Sequence, residues 1–189
     1  ISVDCGMSHA CAVMTSGSVK CWGNNNMGQL GNGQSGDEST PVDVDIGTGE
    51  KAIKVSLQRE TSCALLESGE TKCWGSNSWY SVGNGLTSLS YTSPQKVNYP
   101  STKKGVAISG GKHHGCVLLD DKKVRCWGYN NVKQVYDDST NKHHNPKEIS
   151  LGGDAALPVH TSFTKIPKGV CKACPAGSTN EAGDSPDDG

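Results

Sequence analysis

Cys11-Ala-Val-Met-Thr-Ser-Gly-Ser-Val-Lys-Cys21-Trp22-Gly23 is written three times in this chain, recurring with changes from Cys63 to Gly75 and from Cys116 to Gly128. In each copy a cysteine precedes a Cys-Trp-Gly by ten positions, and two short alternating apolar runs flank a polar turn. With the turn centred on Ser16, Ser68 and Asp121, the two cysteines of each copy face one another across an antiparallel hairpin, and Val13 faces Val19. Directly opposed residues lie about 4.5 to 5.5 Å apart at Cα, within the roughly 4.4 to 6.8 Å that a disulfide spans. The pairs Cys11–Cys21, Cys63–Cys73 and Cys116–Cys126 are therefore expected to close, each ring contributing roughly 2 to 3 kcal/mol. The alternative is three pairs of reduced, buried thiols. The same geometry in three copies argues against it.

Composition bounds the rest. Of 189 residues a third are apolar and only one is phenylalanine, so the core is thin and shared among short strands. Nine cysteines, six in hairpin pairs, point to an oxidising compartment. A net charge of −1 argues against nucleic-acid binding by bulk electrostatics. No apolar run approaches the roughly 18 residues of a membrane span. No signal peptide opens the chain, which starts at Ile1 and reads as mature, cut or a fragment.

The tryptophans Trp22, Trp74 and Trp127 stand 52 and 53 positions apart, and Pro41, Pro94 and Pro146 follow them by 19 or 20. A repeat of about 52 residues results. Each copy opens on a short strand, continues with the cysteine hairpin and a Gly/Asn-rich loop, and closes on a Pro-led segment, giving about four strands per copy. Sustained helical periodicity is absent. The class is all-β, with repeats at about 1–52, 53–105 and 106–150, a linker or strand over 151–170, and a cysteine-bearing, acidic segment over 171–189.

Cys21-Trp-Gly-Asn-Asn-Asn-Met-Gly-Gln-Leu-Gly-Asn-Gly33, with Gly6-Met-Ser-His9 before it and Pro41 after it, resembles the repeat of the regulator of chromosome condensation. That resemblance covers residues 1 to about 150 and implies a β-propeller of about 50 residues per blade, usually seven-bladed. It is strongest in the first copy. The second replaces the Gly-Gln-Leu by Tyr80-Ser-Val82, and the third has no glycine between Gly128 and Tyr136. In such a blade Gly23, Gly75 and Gly128, with Gly28, Gly31 and Gly33, serve tight turns and close blade contacts, and the tryptophans pack blade on blade with the indole N–H reaching a loop carbonyl. Three copies do not close a seven-bladed ring, so uncovered blade faces would stack on further protein.

Cys171-Lys-Ala-Cys174-Pro-Ala-Gly resembles the opening phrase of ephrin-receptor-like cysteine-rich modules, without their later cysteines. Together with Cys5, an addition to the repeat at the slot of Leu57 and Gly110, these form an odd set, and at least one is expected to bridge to another chain or to a removed segment. A zinc or redox site at Cys171 and Cys174 is the weaker reading, because neither a zinc-module spacing nor a βαβ setting accompanies it. No cofactor is expected, and no Ser/His/Asp motif points to an enzyme. Lys103, Lys104, Lys122, Lys123 and Arg125 crowd the third copy; they read as a solvated face or as a contact for an acidic protein tail or an anionic glycan.

These observations describe a non-enzymatic, secreted or cell-surface structural and protein-interaction module, disulfide-stapled, part of a larger protein or of a filament or other extracellular assembly. Its expected partners are further copies of itself or adjacent extracellular domains. The alternative is a regulatory protein-binding propeller of the exchange-factor or inhibitor kind.

Overall fold

In the computed structural model, described for residues 2–135 and 142–150, every regular element is a strand. Three antiparallel sheets follow one another, each a meander of four strands in chain order. The first holds β1 (Ser2–Cys5), β2 (His9–Val13), β3 (Val19–Gly23) and β4 (Glu38–Val44). The second holds β5 (Ala52–Leu57), β6 (Thr61–Leu66), β7 (Thr71–Ser76) and β8 (Ser90–Lys96). The third holds β9 (Gly105–Gly110), β10 (His114–Leu119), β11 (Val124–Gly128) and β12 (His143–Ile149). The segment over 151–170, Cys171 and Cys174 lie outside the described residues.

The hairpin register is the one the cysteine spacing requires. Cys11 pairs with Cys21, Cys63 with Cys73 and Cys116 with Cys126, and Val13 faces Val19. All three disulfides are closed across a Cα–Cα distance of 4.1 Å, slightly nearer than a typical opposed pair. At the turn Met14 N–H donates to the Ser18 carbonyl and Gly17 N–H to that of Met14, with Gly17 at φ +87°.

The outermost strand of each sheet carries the repeat's proline. Opposite each Trp the ladder shifts register, between Cys21 and Gly23, Cys73 and Gly75, and Cys126 and Gly128. Pro41, Pro94 and Pro146 fall in the extra residues of β4, β8 and β12 at those shifts, where no ladder N–H is lost. A bulged, proline-bearing edge is also a poor template for a foreign strand.

The core is built between sheets. One apolar cluster joins Cys11, Val13, Cys21 and Val44 of the first sheet to Val55, Leu66 and Trp74 of the second. The other joins Cys63, Leu65, Cys73 and Tyr99 to Ile108, Leu119 and Trp127 of the third. Each blade therefore has a trailing face, which carries the disulfide, and a leading face, which carries the tryptophan. The middle blade shows both: β6 is buried at every position, whereas β2 and β10 alternate buried with half-buried residues, in opposite phase.

The Cys63–Cys73 staple sits in that doubly covered blade. Replacing both cysteines by serine is expected to lower unfolding stability by about 3 kcal/mol, from the loop-closure estimate for a short ring, read as a lower urea midpoint; an unchanged midpoint would mean that packing alone fixes the hairpin.

Candidate protein-interaction surfaces

Each blade boundary is pinned by an indole. Trp74 Nε1 donates to the carbonyl of Gln29 in the β3–β4 loop of the preceding blade at 3.0 Å, and Trp127 Nε1 donates to the carbonyl of Ser81 in the β7–β8 loop at 2.8 Å. Both tryptophans are fully buried. The accepting loops are made to one template: Asn25 Oδ1 accepts from Leu30 N–H, and Asn77 Oδ1 from Val82 N–H. Leu30 and Val82 are buried at the same boundaries.

Glycine makes the indole's approach possible. Gly31 has φ +70° and Gly83 φ +69°, and a Cβ on either would stand 2.5 or 2.6 Å from the indole it faces. Gly23, Gly75 and Gly128 have φ between +98° and +106°; a side chain there would drive into the carbonyl oxygens of Ser8, Glu60 and His113.

At the first boundary the Gln29 carbonyl also accepts from Ser62 Oγ at 2.7 Å, and His9 Nε2 lies 2.8 Å from that hydroxyl. Because the only hydroxyl proton is committed to Gln29, His9 Nε2 must be the donor, which leaves Nδ1 without its proton. Nδ1 is buried and has no partner. Burial pushes the His9 pKa down to about 4, against the opposing pull of the Asp4 carboxylate. The second boundary has Thr61 at the position of His9, with its Oγ1 donating to the Ser76 carbonyl.

Trp22 occupies the same slot as Trp74 and Trp127 but is half-exposed, and its Nε1 has no hydrogen-bond partner among the described residues. Its neighbours on the leading face behave alike. Val3 is 65% exposed where its counterparts Val55 and Ile108 are 1% and 3% exposed, and Met14 is 40% exposed where Leu66 and Leu119 are buried. Cys5 is a free, exposed thiol on this face, at the slot where Leu57 is buried. On the trailing face of the third blade Cys116, Leu118 and Ile149 are half-buried.

Three of the five basic residues that crowd the third copy are ion-paired. Lys103 pairs with Asp121 at 3.0 Å, and Glu148 pairs with both Lys123 at 2.7 Å and Arg125 at 2.8 Å. The hydrogen bond from Lys103 holds the Asp121 carboxyl below the usual carboxylate range. Glu148 is supplied by β12, 23 residues after Arg125. The stem of Lys104 lies against Gly69, and Lys122 sits at φ +67° in the β10–β11 turn.

Sequence reasoning missed an aromatic and cationic cluster at the second boundary. Trp79 packs on Tyr129 with ring centroids 4.4 Å apart and on His113 at 5.6 Å, Tyr80 stacks on His144 at 3.6 Å, and the Lys142 ammonium lies 4.3 Å from the Trp79 ring. Its one signal was Tyr80 in place of glycine, a residue that keeps φ +59° where Gly28 has +77°. Burial, then the charges of Arg59 and Lys112, lower the His113 pKa. Among the described residues no group of three or more His, Cys, Asp or Glu side chains is placed to hold a metal ion. No helix there is long and apolar enough to cross a membrane.

Three four-stranded antiparallel blades, stapled within and pinned between by indoles, define a propeller-type repeat protein. The chain belongs to the regulator of chromosome condensation (RCC1) repeat family, whose repeat matches residues 16–65 and 69–118 and, in a second form, 1–29 and 106–134. This is a family of protein-interaction propellers. Among curated relatives, the mouse E3 ubiquitin-protein ligase HERC2 is 30% identical over 152 residues, which cover 79% of this chain and 3% of that protein. The ultraviolet-B receptor UVR8 of Arabidopsis thaliana is 28% identical over 165 residues, 87% of this chain and 37% of the receptor. The chain thus spans a small part of the relatives it matches. Among solved structures, yeast RCC1 (Prp20) bound to Kap60 superposes with a TM-score of 0.71 at 17% identity, over 78% of this chain and 36% of that one. Human WBSCR16 gives 0.70 at 22% identity, over 79% and 37%. These likenesses show the fold. The ephrin-receptor-like phrase lies outside the described residues and outside the family match.

The His9 contribution to stability has a definite sign. Its folded pKa lies below the ordinary 6.5, so its stabilising effect is complete above about pH 6.5 and is lost as pH falls toward 4, by about 3 kcal/mol in the limit. Urea midpoints between pH 7 and 4 should show this fall, and His9→Gln should flatten it; an equal fall in both proteins would assign the slope to other groups.

Proposed function

We propose that this chain is a non-enzymatic interaction module of an oxidising, extracellular setting, part of a larger secreted or cell-surface protein or of an extracellular assembly, which joins further protein through its uncovered blade faces. The observation that carries this reading is the contrast on the leading face, where Val3 and Met14 are exposed and their counterparts in the next two blades are buried. Exposed apolar groups in a contiguous, repeat-built face mark a place for protein contact. The disulfides bear on the compartment: a reducing cytosol or nucleus keeps such thiols unbridged, and three closed pairs suit an oxidising one.

A second reading, a regulatory binder of the exchange-factor or inhibitor kind, draws on the family itself. Yeast Prp20p, which shares the fold, is described with binding properties to Gsp1p and histones. In this reading the partner meets the loop ends of the blades, where Trp79, Tyr129 and Lys142 gather; Trp, Tyr and cationic side chains are frequent energetic anchors of interfaces.

Thiol accounting on native material separates the two. With alkylating reagent present from lysis or collection onward, the extracellular reading expects the six hairpin cysteines to stay unmodified and Cys5 to be labelled. Labelling of the hairpin cysteines would overturn it in favour of the regulatory reading.

A further inference from the structure

Asn-Gly occurs twice in the chain, as Asn32-Gly33 and Asn84-Gly85, at the same place in the β3–β4 and β7–β8 loops. The turn demands both residues. Asn32 Oδ1 accepts from the Gln34 N–H and Asn84 Oδ1 from the Leu86 N–H, each at 3.1 Å, so the asparagine side chain closes the turn on its own backbone. Gly33 and Gly85 both hold φ +79°, where any side chain would be strained.

The pair that suits the turn is also chemically labile. With no side chain in the way, the glycine backbone nitrogen can attack the preceding asparagine Cγ: the N–Cγ bond forms, the Cγ–Nδ2 bond breaks, and ammonia leaves with the glycine N–H proton. Water then opens the cyclic imide to aspartate or isoaspartate. In both loops the following blade holds the attacking nitrogen. Gly33 N–H donates to the Thr92 carbonyl of β8 at 2.9 Å, and Gly85 N–H donates to the His144 carbonyl of β12 at 3.0 Å. Asn32 and Asn84 are only half-buried, so the restraint on the reaction is the bond across the boundary and not exclusion of water.

We propose that Asn32 and Asn84 are sites of intramolecular deamidation gated by the two formed blade boundaries: closed, the boundary withholds the glycine nitrogen, and opened, it releases it to react. Each site answers to its own boundary, because Thr92 belongs to the second blade and His144 to the third. Reaction makes the opening permanent. Isoaspartate lengthens the backbone ahead of the glycine and carries its N–H out of register with the acceptor. Aspartate at residue 84 sets a carboxylate oxygen where the buried Asn84 Nδ2 has no hydrogen-bond partner, an unfavourable place for a charge. Each Asn-Gly is thus a one-way chemical record of the separation of two blades.

The test incubates the full chain in mildly alkaline buffer, native and in urea above its unfolding midpoint, and quantifies aspartate and isoaspartate at the two sites by peptide mapping. The same is done in native buffer with Trp127→Phe, which removes the indole bond of the second boundary and leaves that of the first, so that Asn32 serves as the reference within the same molecule. The expected result is native rates at both sites at least about tenfold below those in urea, with Asn84 accelerated at least about threefold in Trp127→Phe and Asn32 unchanged. Native rates equal to those in urea would overturn the proposal. So would a Trp127→Phe protein that still unfolds cooperatively but in which Asn84 is not accelerated, or Asn32 is accelerated equally. If that variant does not fold, the wild-type comparison decides.

Discussion

The hydrogen bond from a buried indole to a loop carbonyl of the preceding blade is the constraint on which this structure depends. It requires a tryptophan on β7 or β11 and a loop that turns its backbone toward the boundary. It also requires a glycine whose missing side chain lets the two meet. A buried indole N–H without an acceptor costs about 1 to 3 kcal/mol, so register between blades is fixed by the same contact that buries apolar surface. The disulfide acts on the other face. By holding each central hairpin closed it gives the following blade a firm wall of cystine and aliphatic side chains, such as Cys63, Leu65 and Cys73 against Leu119 and Trp127.

Much of this was legible in the sequence because it recurs. Ten-residue cysteine spacing specified the hairpin register, since only directly opposed residues can bridge, and the Trp and Pro periods marked the inner and outer strands of each sheet. What was not legible depends on neighbours. Val3, Val55 and Ile108 are interchangeable as strand residues, and only the presence of a preceding blade separates the exposed one from the buried two. Glu148 pairs with both Lys123 and Arg125 because β12 returns beside β11, a pairing that local charge counting does not see. Trp79 and Tyr129 lie in different copies, and their contact follows from two loops meeting at one boundary.

The departures from the repeat are as informative as the matches. Tyr80 keeps the left-handed turn that glycine made easy, and its ring is offset by stacking on His144, so lost backbone freedom is exchanged for a contact across the boundary. Cys5 replaces an aliphatic slot by an exposed thiol. Bulged, proline-bearing outer strands keep the sheet edges from recruiting foreign strands, which leaves blade faces and loop ends as the surfaces through which such a module meets its partners.

The central claim, that indoles pin the two formed boundaries while the Trp22 indole makes no such bond, is tested most directly by hydrogen exchange at the four tryptophan Nε1–H groups, resolved by NMR and assigned by single substitution. The account predicts slow exchange for Trp74 and Trp127 and fast exchange for Trp22. Fast exchange at Trp74 or Trp127, or protection of Trp22 equal to theirs in the isolated chain, would contradict it.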